Sequence, residues 1–190
     1  MSRVRGLCRV GLVLAALVAN AVAPLAAQDA MAPASTIWLV RHAERADQGA
    51  AAGAMTAPQS DPQLSAEGRV RAQELARLLA DAGITRIWST PFARTQQTAQ
   101  PLAEALGLEV ESYDPRDEAS MTRLRAALDE PGTRHLVVGH SNTTPALVEA
   151  LGADAQGAID EFEYDRLYVV VRASEVAVSG TLLRFGAHSH

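Results

Sequence analysis

The 190-residue chain is expected to form an α/β fold, a three-layer sandwich with a mostly parallel central sheet and helices on both faces. Three observations predict it. Short continuous apolar runs, such as residues 36–40 and 136–138, read as strands buried on both sides. Segments with helical apolar spacing separate these runs. Gly and Pro fall at the junctions between the two kinds of segment.

Thr36-Ile37-Trp38-Leu39-Val40 is the first expected strand. Residues 46–63 are small or polar with no period and read as a loop; a loop of that length in a compact domain is usually functional. Ser65 is a good helix N-cap with Glu67 in the first turn, and Val70, Leu75, Leu78 and Leu79 supply an apolar face that ends at Gly83. A strand over 84–89 follows, then a helix over 92–106 interrupted by Pro101 and stopped by Gly107. The order continues with a strand over 108–113, a helix over 121–128, a strand over 136–138, a helix over 144–151 opened by Pro145, and strands over 167–171 and 181–185. No internal repeat or second domain is visible.

The apolar content of 48% suits one domain with a substantial core, and 21% charged residues exclude a wholly disordered or fibrous chain. The 17 basic residues are all Arg, which excludes chemistry that depends on Lys. The net charge of −5 argues against nucleic-acid or anionic-membrane partners. Arg3, Arg5 and Arg9 precede an apolar stretch over 10–22 and the small residues Ala26 and Ala27. This pattern predicts a signal peptide over 1–27, export to a bacterial periplasm or beyond, and no stable membrane insertion after cleavage. The sole cysteine, Cys8, falls in that leader, so no thiol or disulfide chemistry is expected after it. A flexible lead-in over 28–35, a domain over 36–186 and a disordered tail over 187–190 complete the expected layout. His135 is expected on the surface, and the acidic run Asp160, Glu161, Glu163, Asp165 as a solvated face.

Sites in open α/β sheets collect at the carboxyl ends of strands. Three polar groups fall there: Arg41-His42-Ala43-Glu44, Ser89-Thr90-Pro91-Phe92-Ala93-Arg94-Thr95, and Gly139-His140-Ser141-Asn142-Thr143. Two His and two Arg converging on one edge suit a phosphoryl group, held by planar guanidinium forks and open to attack by imidazole.

These segments resemble the histidine phosphatase superfamily, the phosphoglycerate-mutase-like group (branch 1), in an exported bacterial subgroup. Its Arg-His-Gly-Glu signature stands here as Arg41-His42-Ala43-Glu44, and its Ser-x-x-x-x-Arg-Thr-x-x-Thr-Ala segment as Ser89 to Ala99. Its second His follows a late apolar strand, as His140 does. Ala43 and Ser141 depart from the Gly that the familiar mutases carry at both positions. The resemblance implies that His42 is the nucleophile and that Arg41, Arg94 and His140 hold the phosphoryl oxygens. Asn142 joins them through its amide, with Glu44 and Ser141 as supporting residues. The leaving-group acid is expected among Asp114, Asp117 and Glu118, with Asp114 favoured because it stands just past a strand end. No cofactor and no metal are implied. The implied activity is that of an exported phosphomonoesterase acting on a small-molecule or protein phosphomonoester. A phosphate-binding domain without turnover and a phosphoglycerate mutase-type phosphotransferase are the alternatives. The substrate and the oligomeric state are left open.

Overall fold

The computed structural model describes residues 33–47, 61–173 and 177–189. The leader expected over 1–27, most of the lead-in and residues 48–60 of the loop lie outside the described residues. The described elements are β1 (Ser35–Arg41), α1 (Ala66–Leu79), β2 (Arg86–Ser89), α2 (Ala93–Leu106), β3 (Val110–Ser112), α3 (Glu118–Leu128), β4 (Arg134–Gly139), α4 (Thr143–Ala150), β5 (Arg166–Arg172) and β6 (Val178–Arg184). Their order and type match the sequence expectation, with boundaries shifted by a few residues.

The six strands form one mixed sheet in the order β3-β2-β4-β1-β5-β6. The first four strands are mutually parallel, while β5 pairs antiparallel with β1 and β6 antiparallel with β5. The two-residue period of the strands divides the core between the faces. Ile37, Leu39, Trp88, Val137, Tyr168 and Val170 point to one side, where α3 and α4 contribute Leu124, Leu128, Leu147 and Val148. Val40, Ile87, Leu136, Val138 and Leu167 point to the other, against Leu75, Leu79, Leu102 and Ala103 of α1 and α2. Both faces of β1, β2 and β4 are therefore buried, which is why those strands read as unbroken apolar runs.

Register decides where the strand ends fall. Arg41 pairs with Gly139, and Ser89 with Val138, so β1, β4 and β2 finish side by side. The loops that follow stay tied together, since His42 N–H donates to the Gly139 carbonyl at 2.9 Å and Thr90 N–H to that of Val138 at 3.4 Å. Gly139 is required by close approach, because a Cβ there would lie 2.8 Å from Thr144 Oγ1 and 2.9 Å from Thr143 Oγ1. The base of the 46–63 loop is pinned by Ala46 N–H on the Gln63 carbonyl and by a bridge between Arg45 and Leu64.

Four expectations are corrected. Ser35 belongs to β1 and is buried, and the Pro33 carbonyl accepts from Gly132 N–H, so the lead-in is anchored at its end. The tail over 187–189 is anchored as well. Arg71 donates to the Ala187 carbonyl, His188 Nδ1 bonds Asp165, and Ser189 Oγ accepts from Tyr164 N–H. His135 is fully buried, with Trp88 Nε1 donating to its Nδ1 and Thr133 Oγ1 2.8 Å from its Nε2. In the acidic run, Glu163 and Asp165 are buried and paired with Arg184, a residue distant in sequence, so short-range reading had no access to the pairing.

Candidate active site

A cavity of about 330 Å³ opens over the joined ends of β1, β2 and β4. Arg41, His42, Arg45, Phe92, Arg94, Pro115, Arg116, His140, Ser141, Asn142 and Thr143 line it.

His42 is buried directly past β1. Its Nδ1 lies 2.7 Å from the Ala43 carbonyl, an acceptor only, so Nδ1 carries the proton and Nε2 keeps its lone pair. Burial, aided by the charges of Arg41, His140 and Arg94, pushes the imidazolium down to about 2, despite the Ala43 carbonyl that favours it. The ring is therefore neutral, as a nucleophile must be. The loop that carries it is fixed from α2: Thr98 Oγ1 accepts from Ala43 N–H at 3.0 Å and donates to the Arg94 carbonyl at 2.7 Å. One hydroxyl thus links the first motif to the helix that bears Arg94.

Arg41, the last residue of β1, is buried, 6% exposed. Its Nη1 donates to the carbonyls of Asp160 and Glu163 at 2.8 and 3.0 Å, its Nη2 to Tyr164 Oη at 3.3 Å, and the guanidinium lies 4.1 Å from the centre of the Tyr164 ring. The acidic run therefore serves Arg41 through its backbone. Tyr164 also packs against His42 at 5.9 Å between ring centres.

His140 follows β4, its ring 5.4 Å from that of His42 and edge-on to Phe92 at 5.2 Å. Arg94 Nη2 approaches His140 Nδ1 at 3.4 Å, and Thr90 Oγ1 lies 2.8 Å from Nε2. With Nδ1 accepting, the neutral ring donates from Nε2 to Thr90. Should Thr90 donate instead, Nδ1–H becomes available to a bound oxyanion. Burial first, then Arg94 and Arg41, pushes the His140 imidazolium down to about 4. Arg94 also faces Asp61, whose oxygens accept from Ala93 N–H at 2.8 and 3.0 Å and from Arg94 Nη1 at 3.4 Å. Asp61 supplies the cap of α2 that the N-cap residue Phe92 has no side chain to make.

Among the described residues, three buried side-chain polar atoms have no hydrogen-bond partner: Nε of Arg41, Arg45 and Arg94. All three belong to the lining of this cavity. Buried donors are ordinarily satisfied, so an unpaired cluster in a cleft is prepared for an acceptor from outside the chain.

Two residues expected at the site are elsewhere. Glu44 bonds neither His42 nor Arg41; it forms a bidentate pair with Arg71, with Nη2 to Oε1 at 2.7 Å. Asp114 is not in the lining. Its oxygens accept from the backbone N–H and the guanidinium of Arg116, and that guanidinium holds its carboxyl below the usual carboxylate range. The strand-end position that suggested Asp114 instead delivers Pro115 and Arg116. Asp117 caps α3 through Ala119 N–H, and Glu118 begins that helix. Sequence reading missed Arg45, Thr90 as a partner of His140, Arg116 and Tyr164. Arg45 had a visible signal in its adjacency to Glu44, whereas Tyr164 lies over 100 residues from Arg41 and had none.

Residues 37–124 match the family model described as histidine phosphatase superfamily (branch 1). Over these residues the chain matches that family. The match takes in His42 and Arg94; His140 lies beyond it and joins the site through the β1–β4 register. The chain is 38% identical over 86 residues to the probable phosphoglycerate mutase GpmB of Enterobacter sp. (strain 638), an overlap covering 42% of this chain and 35% of that protein. It thus spans about a third of the length of the curated relatives it matches. Among solved structures, the fold is similar to a phosphoglycerate mutase from Bacillus anthracis, with TM-score 0.60 and 14% identity, covering 80% of this chain and 94% of that one. It is also similar to the protein histidine phosphatase SixA complexed with tungstate, with TM-score 0.56 and 21% identity over 81% and 96% of the two chains. At these identities the structural likeness bears on the fold.

Proposed function

We propose that the chain is an exported phosphoric monoester hydrolase that works through a phosphohistidine on His42. The observation that carries the reading is a buried neutral imidazole with a free Nε2, set among guanidinium groups whose buried Nε–H groups lack acceptors. In the first step the Nε2 lone pair forms the N–P bond as the P–O ester bond breaks, and the electron pair departs on the leaving oxygen. In the second, water attacks phosphorus and the N–P bond breaks. Phosphate is released, the imidazole is restored, and the proton lost by water replaces the one taken by the leaving group. Arg41, Arg94 and His140, with the Asn142 amide at the rim, hold the three equatorial oxygens, which is electrostatic and positional catalysis.

No carboxylate is among the residues lining the described cavity, and residues 48–60 contain neither Asp nor Glu. Leaving groups that depart with little protonation are therefore favoured, namely aryl phosphates and N-linked phosphoryl groups over alkyl phosphates. The likeness to SixA, named as a protein histidine phosphatase, agrees with that preference. The mutase alternative rests on a likeness spanning 35% of GpmB. Export rests on the leader pattern over residues 1–27.

Purified protein should hydrolyse p-nitrophenyl phosphate in EDTA. His42→Ala should abolish turnover, and acid-quenched radiolabelled phosphate should map to His42. Label on another residue, or full activity in His42→Ala, overturns the nucleophile assignment. Wild-type binding without turnover would favour the phosphate-binding alternative.

A further inference from the structure

His140 turns one ring nitrogen toward a cavity arginine and the other toward two buried hydroxyls. Nδ1 lies 3.4 Å from Arg94 Nη2, and Nε2 lies 2.8 Å from Thr90 Oγ1. Which nitrogen carries the proton in the ligand-free protein is decided behind the ring, by Thr90 and Thr95. Both residues are fully buried. Among the described residues, Thr90 Oγ1 has two partners, His140 Nε2 and, at 2.9 Å, Thr95 Oγ1. It therefore donates to one and accepts from the other.

Thr95 Oγ1 fixes the direction. It lies 2.9 Å from the Thr90 carbonyl and 2.7 Å from the Phe92 carbonyl, two groups that can only accept. Its single proton serves one of them. Turned toward Thr90 Oγ1 instead, it would leave two short oxygen–oxygen contacts with no proton between them. Thr95 Oγ1 thus accepts from Thr90, and Thr90 Oγ1 accepts from His140 Nε2–H. The other side of the ring agrees independently. Arg94 can only donate, so the Nδ1 that faces it presents a lone pair. An oxyanion held by Arg94 beside this ring meets that lone pair where it needs a donor.

We propose that Thr90 and Thr95 are positioning residues whose hydroxyl relay holds ligand-free His140 in the Nε2–H form, so that a phosphoryl dianion binds together with one proton, taken from solvent by Nδ1. This rests on the phosphoryl-holding role of His140 in the phosphatase reading. The proton makes the Nδ1–H bond that the oxyanion accepts, the relay keeps Nε2–H satisfied, and the proton leaves again with the product phosphate. Arg94 of α2 and Arg41 of β1 disfavour that proton in the empty cavity and Asp61, ahead of α1, favours it; His42, Arg45 and Arg116 share the cavity. A dianion among these cations offsets the charges that disfavour an imidazolium.

The test is nitrogen NMR of isotope-labelled histidine rings, with His140 assigned through His140→Gln and tungstate as a dianionic probe. The unmodified protein should show His140 as Nε2–H alone, and as an imidazolium with both nitrogens protonated once tungstate is bound. Calorimetry in the His42→Ala background, where His42 cannot take the proton, should show uptake approaching one proton. Tungstate affinity should then rise up to about tenfold per unit fall in pH across about pH 7 to 5. Thr95→Val acts at one remove: it takes away the acceptor of the Thr90 proton, so Thr90 donates to Nε2 and the ring moves to Nδ1–H. Thr90→Val, which leaves Nε2–H no acceptor, should shift the ring the same way, and both should flatten the pH dependence; Thr90→Ser should keep the wild-type pattern. A merely structural role would lower affinity or stability without moving the tautomer. An Nδ1–H ring in the ligand-free protein, or a neutral His140 with tungstate bound, overturns the proposal and leaves the phosphatase reading standing if p-nitrophenyl phosphate is hydrolysed. An unmoved tautomer in both valine variants also overturns it. Where a valine variant does not fold, the spectra of the unmodified protein decide tautomer and proton uptake. Proton-linked binding without turnover upholds the relay and overturns the phosphatase reading, and failure of both binding and turnover overturns both.

Discussion

The two cavity histidines are both neutral, for a common reason. Each is buried next to guanidinium groups, so its protonated form loses hydration and meets like charge. The same holds for His135, which burial pushes down to about 4 although it lies away from the cavity. In the unfolded chain these rings take up protons near pH 6.5, whereas in the folded chain two of them do so only near 4 and His42 near 2. Their contribution to stability is therefore complete above pH 6.5 and is lost as pH falls toward the folded values. Urea midpoints should drop steadily on acidification across that window, and side-chain NMR of the ligand-free protein should show His42 and His140 still neutral at about pH 5.5, where an unperturbed imidazole is mostly protonated. A His42 titration near 6.5 would contradict the burial argument. The sequence located His42 and His140 by their place after apolar strands. It misassigned Asp114, because position past a strand end does not determine where a short side chain turns. Arg116, two residues on, captures its carboxylate.

At the scale of elements, the first motif is clamped from two sides. Thr98 of α2 holds Ala43 N–H, and α1 presses on the backbone of Glu44. The contact with α1 requires Gly68, since a Cβ there would lie 2.3 Å from the Glu44 carbonyl oxygen and 3.0 Å from its nitrogen. Backbone cannot rotate away as a side chain can. Gly68→Ala should therefore destabilise the fold by about 1–3 kcal/mol, the usual scale for overpacking, and should also lower turnover by displacing the loop next to His42. Thermal melting and p-nitrophenyl phosphate kinetics on the soluble fraction would check it; a wild-type melt with wild-type kcat would refute the clamp. The helical pattern and the Ser65 cap of α1 were legible in the sequence, and Ser65 Oγ does accept from Gly68 N–H at 3.0 Å. The docking of Gly68 on Glu44 was not, because it joins two segments that share no local pattern.

Across the whole molecule, Arg71 ties the first motif to the far end of the chain. It pairs with Glu44, and it donates to the carbonyls of Phe185 and Ala187 at 3.0 and 2.9 Å. The Arg71 side chain is 5% exposed and the Glu44 side chain 19%. Removing one partner strands a largely buried carboxylate and two carbonyls. Arg71→Ala should cost about 3 kcal/mol in urea denaturation and should free the residues after Phe185 to fast amide exchange. An unchanged midpoint would show that solvent satisfies these groups.

The sequence by itself determined the α/β class, the order of elements, the three polar strand ends and the resemblance to the histidine phosphatase superfamily, because hydrophobic period and strand-end motifs are local properties of the chain. Only the tertiary structure decided how β1, β2 and β4 align, which tautomer His42 adopts, and that Arg45 and Arg116 join the cavity while Glu44 and Asp114 leave it. Those outcomes depend on register and on pairings between distant segments, where the partner of a charge is set by packing in space.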